Sequence, residues 1–199
     1  MTLPLKHIIG KMNDICQMCG DLELLLLKSI VRTEIPKNHV LLEPGQLCDF
    51  YYYIEKGILS CHEWKDDKEY IPWLMFPGDI ATSVESFNYR VPSQETIRSQ
   101  TNCTLHLLSW KHADDFRHKY RAFADIRDYL SNQYALLAWN MGAECKRPPE
   151  KFYEFLKEMH GEQIDQLSRK LLATYMGISE ASLYNIIKNY RSNDKRGNN

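Results

Sequence analysis

Apolar residues recur along the chain with two different periods, and the change between them divides it into parts. Between residues 14 and 33, Ile15, Met18, Cys19, Leu22 and Leu26 fall at helical spacing, and Leu24, Leu25, Leu27, Ile30 and Val31 thicken the stripe. That pattern predicts a helix lying on an apolar surface. From Ile35 to Leu108 the texture changes to short runs rich in Tyr, Ile, Val, Trp and Thr. They are punctuated at Pro36, Pro44-Gly45, Gly57, Lys65-Asp66-Asp67-Lys68, Pro77-Gly78 and Pro92. Turn residues at such intervals, with every second residue of Ile58 to Trp64 facing one side, predict an antiparallel β sandwich or barrel.

The punctuation stops at Trp110. Phe123, Ile126, Leu130, Tyr134, Leu137 and Met141 then follow at spacings of 3, 4, 4, 3 and 4, which average to the α-helical 3.6. A long helix is predicted, with Leu136, Ala138 and Trp139 widening its apolar surface beyond one stripe. Two outcomes fit so broad a surface: one side on the barrel and the other on a second subunit, or burial on all sides within the monomer. Cys145 to Pro149 interrupts the helix, because proline lacks the amide donor and disfavours helical geometry in the residue before it. The boundary between two domains, 1–145 and 146–199, falls there. Residues 150 to 190 read as helical throughout, with Phe152, Phe155, Leu156 and Met159 as one stripe ended by Gly161. Asn193 to Asn199 reads as a frayed tail.

Composition changes this picture only at the C-terminal end. The 199 residues carry 25 Lys or Arg and 26 Asp or Glu, a net charge of −1, with 44% hydrophobic and 26% charged residues. From Lys146 onward there are ten basic and seven acidic residues, a net +3 that leaves −4 for the first 145. The positive bias therefore falls on the second domain. No apolar stretch approaches the roughly 20 residues a membrane helix requires, and Met1 to Met12 lacks the apolar core of a signal peptide. A cytoplasmic protein without a membrane partner is expected. Six cysteines, Cys16, Cys19, Cys48, Cys61, Cys103 and Cys145, then read as free thiols. Cys16 and Cys19 alone have metal-like spacing. They lie within the predicted first helix and lack the further pair a structural site needs, so no metal is expected.

The segment from Arg169 to Lys188 carries the most information. Two helices crossing through a short turn need a small residue where they approach, and Ala173 supplies it. Gly177, four residues on, can take the left-handed conformation of the turn. Leu172, Met176, Ile178, Leu183 and Ile186 form the shared core, and Ser179 is placed to cap the second helix. A helix-turn-helix is predicted, with a plain packing hairpin as the other use of the same pattern. In a helix-turn-helix the second helix enters the DNA major groove. Its exposed face would present Ser179, Glu180, Ala181, Ser182, Asn185 and Lys188. Asn185 can pair with adenine, Glu180 can accept from cytosine, and Lys188 or Arg191 can hold phosphate.

Barrel, long helix and helix-turn-helix, in that order, resemble the Crp/Fnr family of bacterial transcription regulators. Glu43-Pro44-Gly45, Asp49, Tyr52-Tyr53-Ile54 and Lys56-Gly57 look like that family's early barrel hairpin. Phe76-Pro77-Gly78-Asp79 through Phe87 to Cys103 looks like its phosphate-binding cassette. The resemblance implies an α+β fold. It would have a cyclic-nucleotide-binding-type jelly-roll barrel with flanking helices, a dimerisation helix over about 111–145 carrying the Phe123 to Met141 stripe, and an all-α helix-turn-helix domain. It also implies double-stranded DNA, a second copy of the chain and RNA polymerase as partners.

Two departures matter. Members that bind cyclic nucleotides carry a Gly-Glu and an Arg-Ser pair in the cassette, and this chain has Thr82-Ser83 and Ser93-Gln94 instead. Each hydrogen bond lost to a buried charged phosphate removes about 1.5 to 3 kcal/mol. Cyclic AMP is therefore not expected in the usual mode, and Arg90 or Arg98 would replace the missing cation only through a rearranged loop. Thr82, Ser83, Val84, Ser93 and Gln94 are left as a neutral pocket for another small-molecule effector, or as a vestige. Only eleven residues follow Lys188, too few for the two-stranded wing common in the family.

A different class of function is a sensing or protein-interaction module with a degenerate helix-turn-helix, to which Glu180, the absent wing and the near-neutral pI of about 6.7 point. An enzyme is not expected. His7, His39, His62, His106, His112, His118 and His160 are scattered, no nucleophile or phosphate-loop motif occurs, and Cys61 and His62 point to opposite faces of a strand.

Overall fold

The computed structural model describes residues 3–197. Helices α1 (Leu3–Ile15) and α2 (Gly20–Ser29) precede nine strands: β1 (Val31–Ile35), β2 (Val40–Leu42), β3 (Phe50–Lys56), β4 (Leu59–Lys65), β5 (Lys68–Tyr70), β6 (Leu74–Met75), β7 (Ile80–Ala81), β8 (Thr96–Ser99) and β9 (Cys103–Ser109). Helix α3 (Val84–Tyr89) interrupts the strands after β7. The remainder is helical: α4 (Trp110–Lys119), α5 (Arg121–Glu144), α6 (Pro149–His160), a 3₁₀ turn at Gly161–Gln166, α7 (Arg169–Met176) and α8 (Glu180–Gly197).

All strand pairs are antiparallel. One sheet has the order β1-β9-β3-β7, and the other has β2-β8-β4-β5 with β6 also on β4. Ile54, Leu59, Ile97 and Leu105 alternate inward to fill the sandwich, and Ile9, Leu22, Leu26, Phe116, Phe123 and Ile126 close its outside from α1, α2, α4 and α5. The turn at Gly57 has φ +96. A Cβ there would stand 2.5 Å from the Cys103 sulfur and 2.7 Å from the Asn102 carbonyl, so both backbone geometry and space require glycine.

A second core lies on the far side of the second sheet. Ile58, Ile71, Leu74 and Phe76 of the barrel pack with Phe152, Tyr153, Leu156, Ile164, Leu167, Leu171, Leu172, Ala173, Leu183 and Ile186. Phe76 and His160 stack with ring centroids 3.7 Å apart, and α7 lies against β5. This core draws on both sides of the 145/146 boundary.

Several expectations need correction. The helix over 14–33 is instead two helices and the start of a strand. The Asn13 side chain accepts from the Met18 amide at 2.8 Å and donates to Glu23 at 2.7 Å, fixing a corner, while Val31 to Ile35 pairs with β9. Cys16 and Cys19 therefore sit in the link between α1 and α2, not inside a helix. The helix over about 111–145 is broken at Tyr120, whose extended backbone (φ −126, ψ 112) separates α4 from α5. Helix α8 continues through Gly197 rather than fraying from Asn193, and the rest of that tail, Asn198 and Asn199, lies outside the described residues. No strand follows α8 among the described residues.

Candidate nucleic-acid interface

The corner between α7 and α8 is built by its own sequence. Ser168 caps α7 by accepting from the Leu171 amide at 3.1 Å. Gly177 closes the helix in the left-handed region (φ 68), with the Gly177 amide donating to the Thr174 carbonyl and the Ile178 amide to Ala173, the paired bonds of a Schellman stop. Ser179 then caps α8 by accepting from the Ser182 amide at 3.1 Å. Ala173, Leu172, Leu183 and Ile186 are buried between the helices, and Met176 and Ile178 are half-buried at the rim. The small residue, the turn glycine, the cap and the core all occupy the positions expected of them.

Glu180, Ala181, Ser182, Asn185, Lys188 and Arg191 are all exposed on α8, and so is Ser179 before it. Ser179 and Ser182 are less free than the rest, because their hydroxyls lie 2.8 Å apart and Ser179 is engaged as the cap. Two residues join this face that sequence reasoning passed over. Tyr184 is half exposed, and the Arg169 guanidinium lies 5.6 Å from its ring centre. Together with Ile187, Lys188, Arg191 and Ser192 they line a shallow groove of about 280 Å³. The spacing 180, 184, 188 had already placed Tyr184 between Glu180 and Lys188 on one face. Lys188, Arg191 and Tyr184 on the exposed face of α8, with Arg169 of α7 beside them and the neutral side chains of Ser182 and Asn185 on the same helix, are suited to an anionic polymer with readable edges.

The five residues expected to line an effector pocket, Thr82, Ser83, Val84, Ser93 and Gln94, are only partly brought together. Ser83 and Ser93 are buried with their hydroxyls 3.2 Å apart, and Ser93 accepts from the Glu95 amide at 3.0 Å. Thr82 donates to the Phe50 carbonyl at 3.2 Å and lies 3.3 Å from the Cys48 sulfur. Val84 and Gln94 point to solvent, so the pocket as expected contracts to a serine pair.

The two candidate arginines are elsewhere. Arg90 donates to the Cys48 carbonyl and to Asp49 and lies over Trp110, while Arg98 leaves β8 on the face opposite its buried neighbours Ile97 and Ser99. The charged group that does reach the serines is Glu95, which the sequence reading missed. Its carboxyl is pushed up by burial, against a hydrogen bond from Ser83, with Glu63 and Glu85 adding to the rise. Its Oε2 is buried and has no hydrogen-bond partner.

The Phe123 to Met141 stripe faces the chain's own body. Phe123 and Ile126 are in the barrel core, Leu130 packs against it, and Met141 packs against the second core. The Tyr134 hydroxyl accepts from the Ile80 amide at 2.7 Å; burial pushes its pKa up to about 12, so it stays protonated. Leu137 is half-buried. The side of α5 left open carries Tyr129, Leu136 and Trp139, exposed to 48%, 55% and 79%.

One polar chain has the order of a nucleophile, a base and an acid. Ser60 Oγ is 2.7 Å from His62 Nε2, and His62 Nδ1 is 2.8 Å from Glu69 Oε1. Ser60 has no exposed surface and its hydroxyl accepts from Gln100 at 2.7 Å, so the chain satisfies buried polar groups and offers no access to a substrate. Among the described residues no three His, Cys, Asp or Glu side chains converge as a metal site, and no helix is long and apolar enough to cross a membrane.

A jelly-roll barrel, a long helix and a helix-turn-helix define one class of fold, that of the Crp/Fnr regulators, and this chain has it. No family model matches the sequence, and no curated protein does. Among solved structures it is similar to FixK2 of Bradyrhizobium japonicum, with 12% identity over 83% of this chain and 86% of that one at a TM-score of 0.70. It is similar to a Crp/Fnr-family regulator of Eubacterium rectale, with 12% identity over 88% and 85% at 0.69. The c-di-GMP-responsive global regulator CLP of Xanthomonas campestris matches with 17% identity over 88% and 93% at 0.64.

Proposed function

We propose that this chain is a Crp/Fnr-type transcription regulator: a homodimer that binds double-stranded DNA in sequence-specific fashion through α8, controlled from the barrel. The observation that carries this reading is the capped α7–α8 corner, with the outer face of α8 free and edged by Arg169, Lys188 and Arg191. Asn185 and Ser182 read base edges in the major groove, while the three cations hold phosphates on either side. Residues 1–145 act as the sensor and 146–199 as the reading head, with α5 joining two copies. An effector acts by biasing the joint at Cys145 to Pro149, and RNA polymerase is the downstream partner in the cytoplasm.

The barrel does not take cyclic AMP in the family's usual mode. No guanidinium reaches the serine pair, and the carboxyl of Glu95 stands beside it, so a phosphate there would meet like charge in place of a counterion. A small molecule that presents hydrogen-bond donors fits this site better.

A mobility-shift titration with a random duplex library at low salt, followed by sequencing of the bound fraction, tests the proposal. Enrichment of a two-fold symmetric site with half-sites about one duplex turn apart is expected. Absence of duplex binding even at low salt, where the electrostatic contribution is greatest, overturns it. Glu180 at the leading end of α8 favours a second reading, a protein-interaction module, because an exposed carboxylate repels phosphate. Unchanged promoter occupancy in cells carrying Asn185→Ala and Lys188→Ala together would establish that second reading.

A further inference from the structure

Resting on the reading that α8 enters the major groove of duplex DNA, we propose that it selects A·T pairs there: Asn185 engages both hydrogen-bonding groups of an adenine, and the Ala181 methyl closes on the 5-methyl of a thymine nearby. Ala181, Asn185, Lys188 and Ser192 are all exposed, at spacings of 4, 3 and 4, and lie opposite the buried Leu183 and Ile186. This row therefore stands furthest from the α7–α8 core. Glu180, Tyr184 and Arg191, at spacings of 4 and 7, form a second row roughly a quarter turn round the helix. Tyr184 is engaged there by the Arg169 guanidinium, and Lys188 and Arg191 border the same groove as Arg169, placed for phosphate. The Ser192 hydroxyl donates to the Lys188 carbonyl at 2.9 Å. The Ser182 hydroxyl can bond to either kind of base pair and makes no choice between them. Discrimination falls to the two members of the first row nearest the start of α8, Ala181 and Asn185.

Each has one good match. In the major groove adenine presents an acceptor and a donor, guanine two acceptors, cytosine a donor, and thymine an acceptor beside a methyl. The Asn185 amide both donates and accepts, so adenine satisfies its two ends together, whereas against guanine its oxygen would face an acceptor. The Ala181 methyl has nothing to offer a polar edge, and set against one it would remove water without replacing the hydrogen bond. The thymine methyl is the apolar group of the groove, and covering it hides both methyls from water. Ala181 is also small enough to let the start of α8 approach the groove floor. Four residues of helix rise about 6 Å and base pairs stack about 3.4 Å apart, which sets the two contacts one or two steps from each other.

Duplexes are selected from a random library with the full chain at low salt, and the enriched duplex is then titrated beside two altered copies of it. No duplex binding at all would sink the reading that α8 meets DNA, and this proposal with it. An enriched core of A·T pairs is expected; a core of G·C pairs overturns the proposal and leaves DNA binding standing. Deoxyuridine in place of thymidine removes only the 5-methyl and should weaken binding about fourfold for each methyl in contact. With Ala181→Gly, the thymidine and deoxyuridine duplexes should bind alike. 7-Deazaadenine in place of adenine removes the N7 acceptor, keeps the base pair, and should weaken binding about tenfold. With Asn185→Ala that difference should vanish. Each comparison sets two duplexes against one variant, so any change in the folded fraction cancels. Deoxyuridine bound as well as thymidine by the parent chain, or discrimination that survives Ala181→Gly, overturns the methyl contact. Deaza discrimination that survives Asn185→Ala, or is absent from the parent chain, overturns the adenine contact.

Discussion

The α7–α8 corner and the cassette between β7 and β8 use the same residue type to opposite ends. In the corner, Ser168 and Ser179 spend their hydroxyls on the first free amides of two helices, and the outer surface stays clear. In the cassette, Ser83 and Ser93 turn inward to each other, and the nearest charge is the buried carboxyl of Glu95. One region holds cations around an open face; the other has closed on itself with the wrong charge for a phosphate. The difference teaches that a shared fold does not bring a shared chemistry, since the corner can keep its caps, core and open basic face while the polar groups of the cassette have turned on one another.

The sharpest way to break this contrast is to empty the corner. Leu183 is fully buried between α7 and α8, and Leu183→Ala should cost about 2 to 5 kcal/mol, seen as a lower midpoint in chemical denaturation together with lost DNA binding. If the chain keeps its midpoint, the corner is not the packed unit described. Next in size is the charge around the groove. Lys188→Ala with Arg191→Ala should weaken duplex binding roughly tenfold to a hundredfold at low salt and flatten the salt dependence by about two counterions, leaving the thermal midpoint in place. Ser179→Ala removes the cap of α8 and should cost about 1 kcal/mol, a loss that Ser179→Asp or Ser179→Asn restores.

The smallest effect belongs to the cassette. The Glu95 carboxyl is raised by burial, so between its ordinary value and the raised one the folded chain holds more protons than the unfolded chain. Stability therefore falls as pH rises through that window, and the cost persists above it. Glu95→Gln removes the cost, and should raise the thermal midpoint at pH 7 by roughly 1 to 3 °C. The gain should vanish below about pH 4, where both forms of the chain are protonated. A variant less stable than the parent at pH 7 would mean that the charged carboxylate holds the cassette together.

What was legible in the sequence was local. Ala173, Gly177 and Ser179 act within one turn of themselves, so their roles could be read from spacing alone. The length of α5 was legible from its period, but which side of it met the barrel was not, because its apolar surface is wider than one stripe and the choice depends on residues such as Ile80, 54 positions away from Tyr134. The same limit explains the misread first helix: Val31 pairs with Leu107, and a partner that far along the chain outweighs the helical spacing around it. Glu95 was passed over because nothing local distinguishes a carboxylate that turns into a barrel from one that stays in water. Tyr184 was within reach of the periodicity and was missed by attending to residues with side-chain amides and charges.

The core shared by Ile58, Ile71, Leu74 and Phe76 with α6 to α8 bears on how such proteins can be recombined. A C-terminal helical unit grafted at Pro148 from another chain of this fold would leave those four side chains facing a surface never shaped to receive them. Exchange of parts in this chain must therefore carry the outer face of the second sheet along with α6 to α8, so the unit of inheritance is larger than the helix-turn-helix.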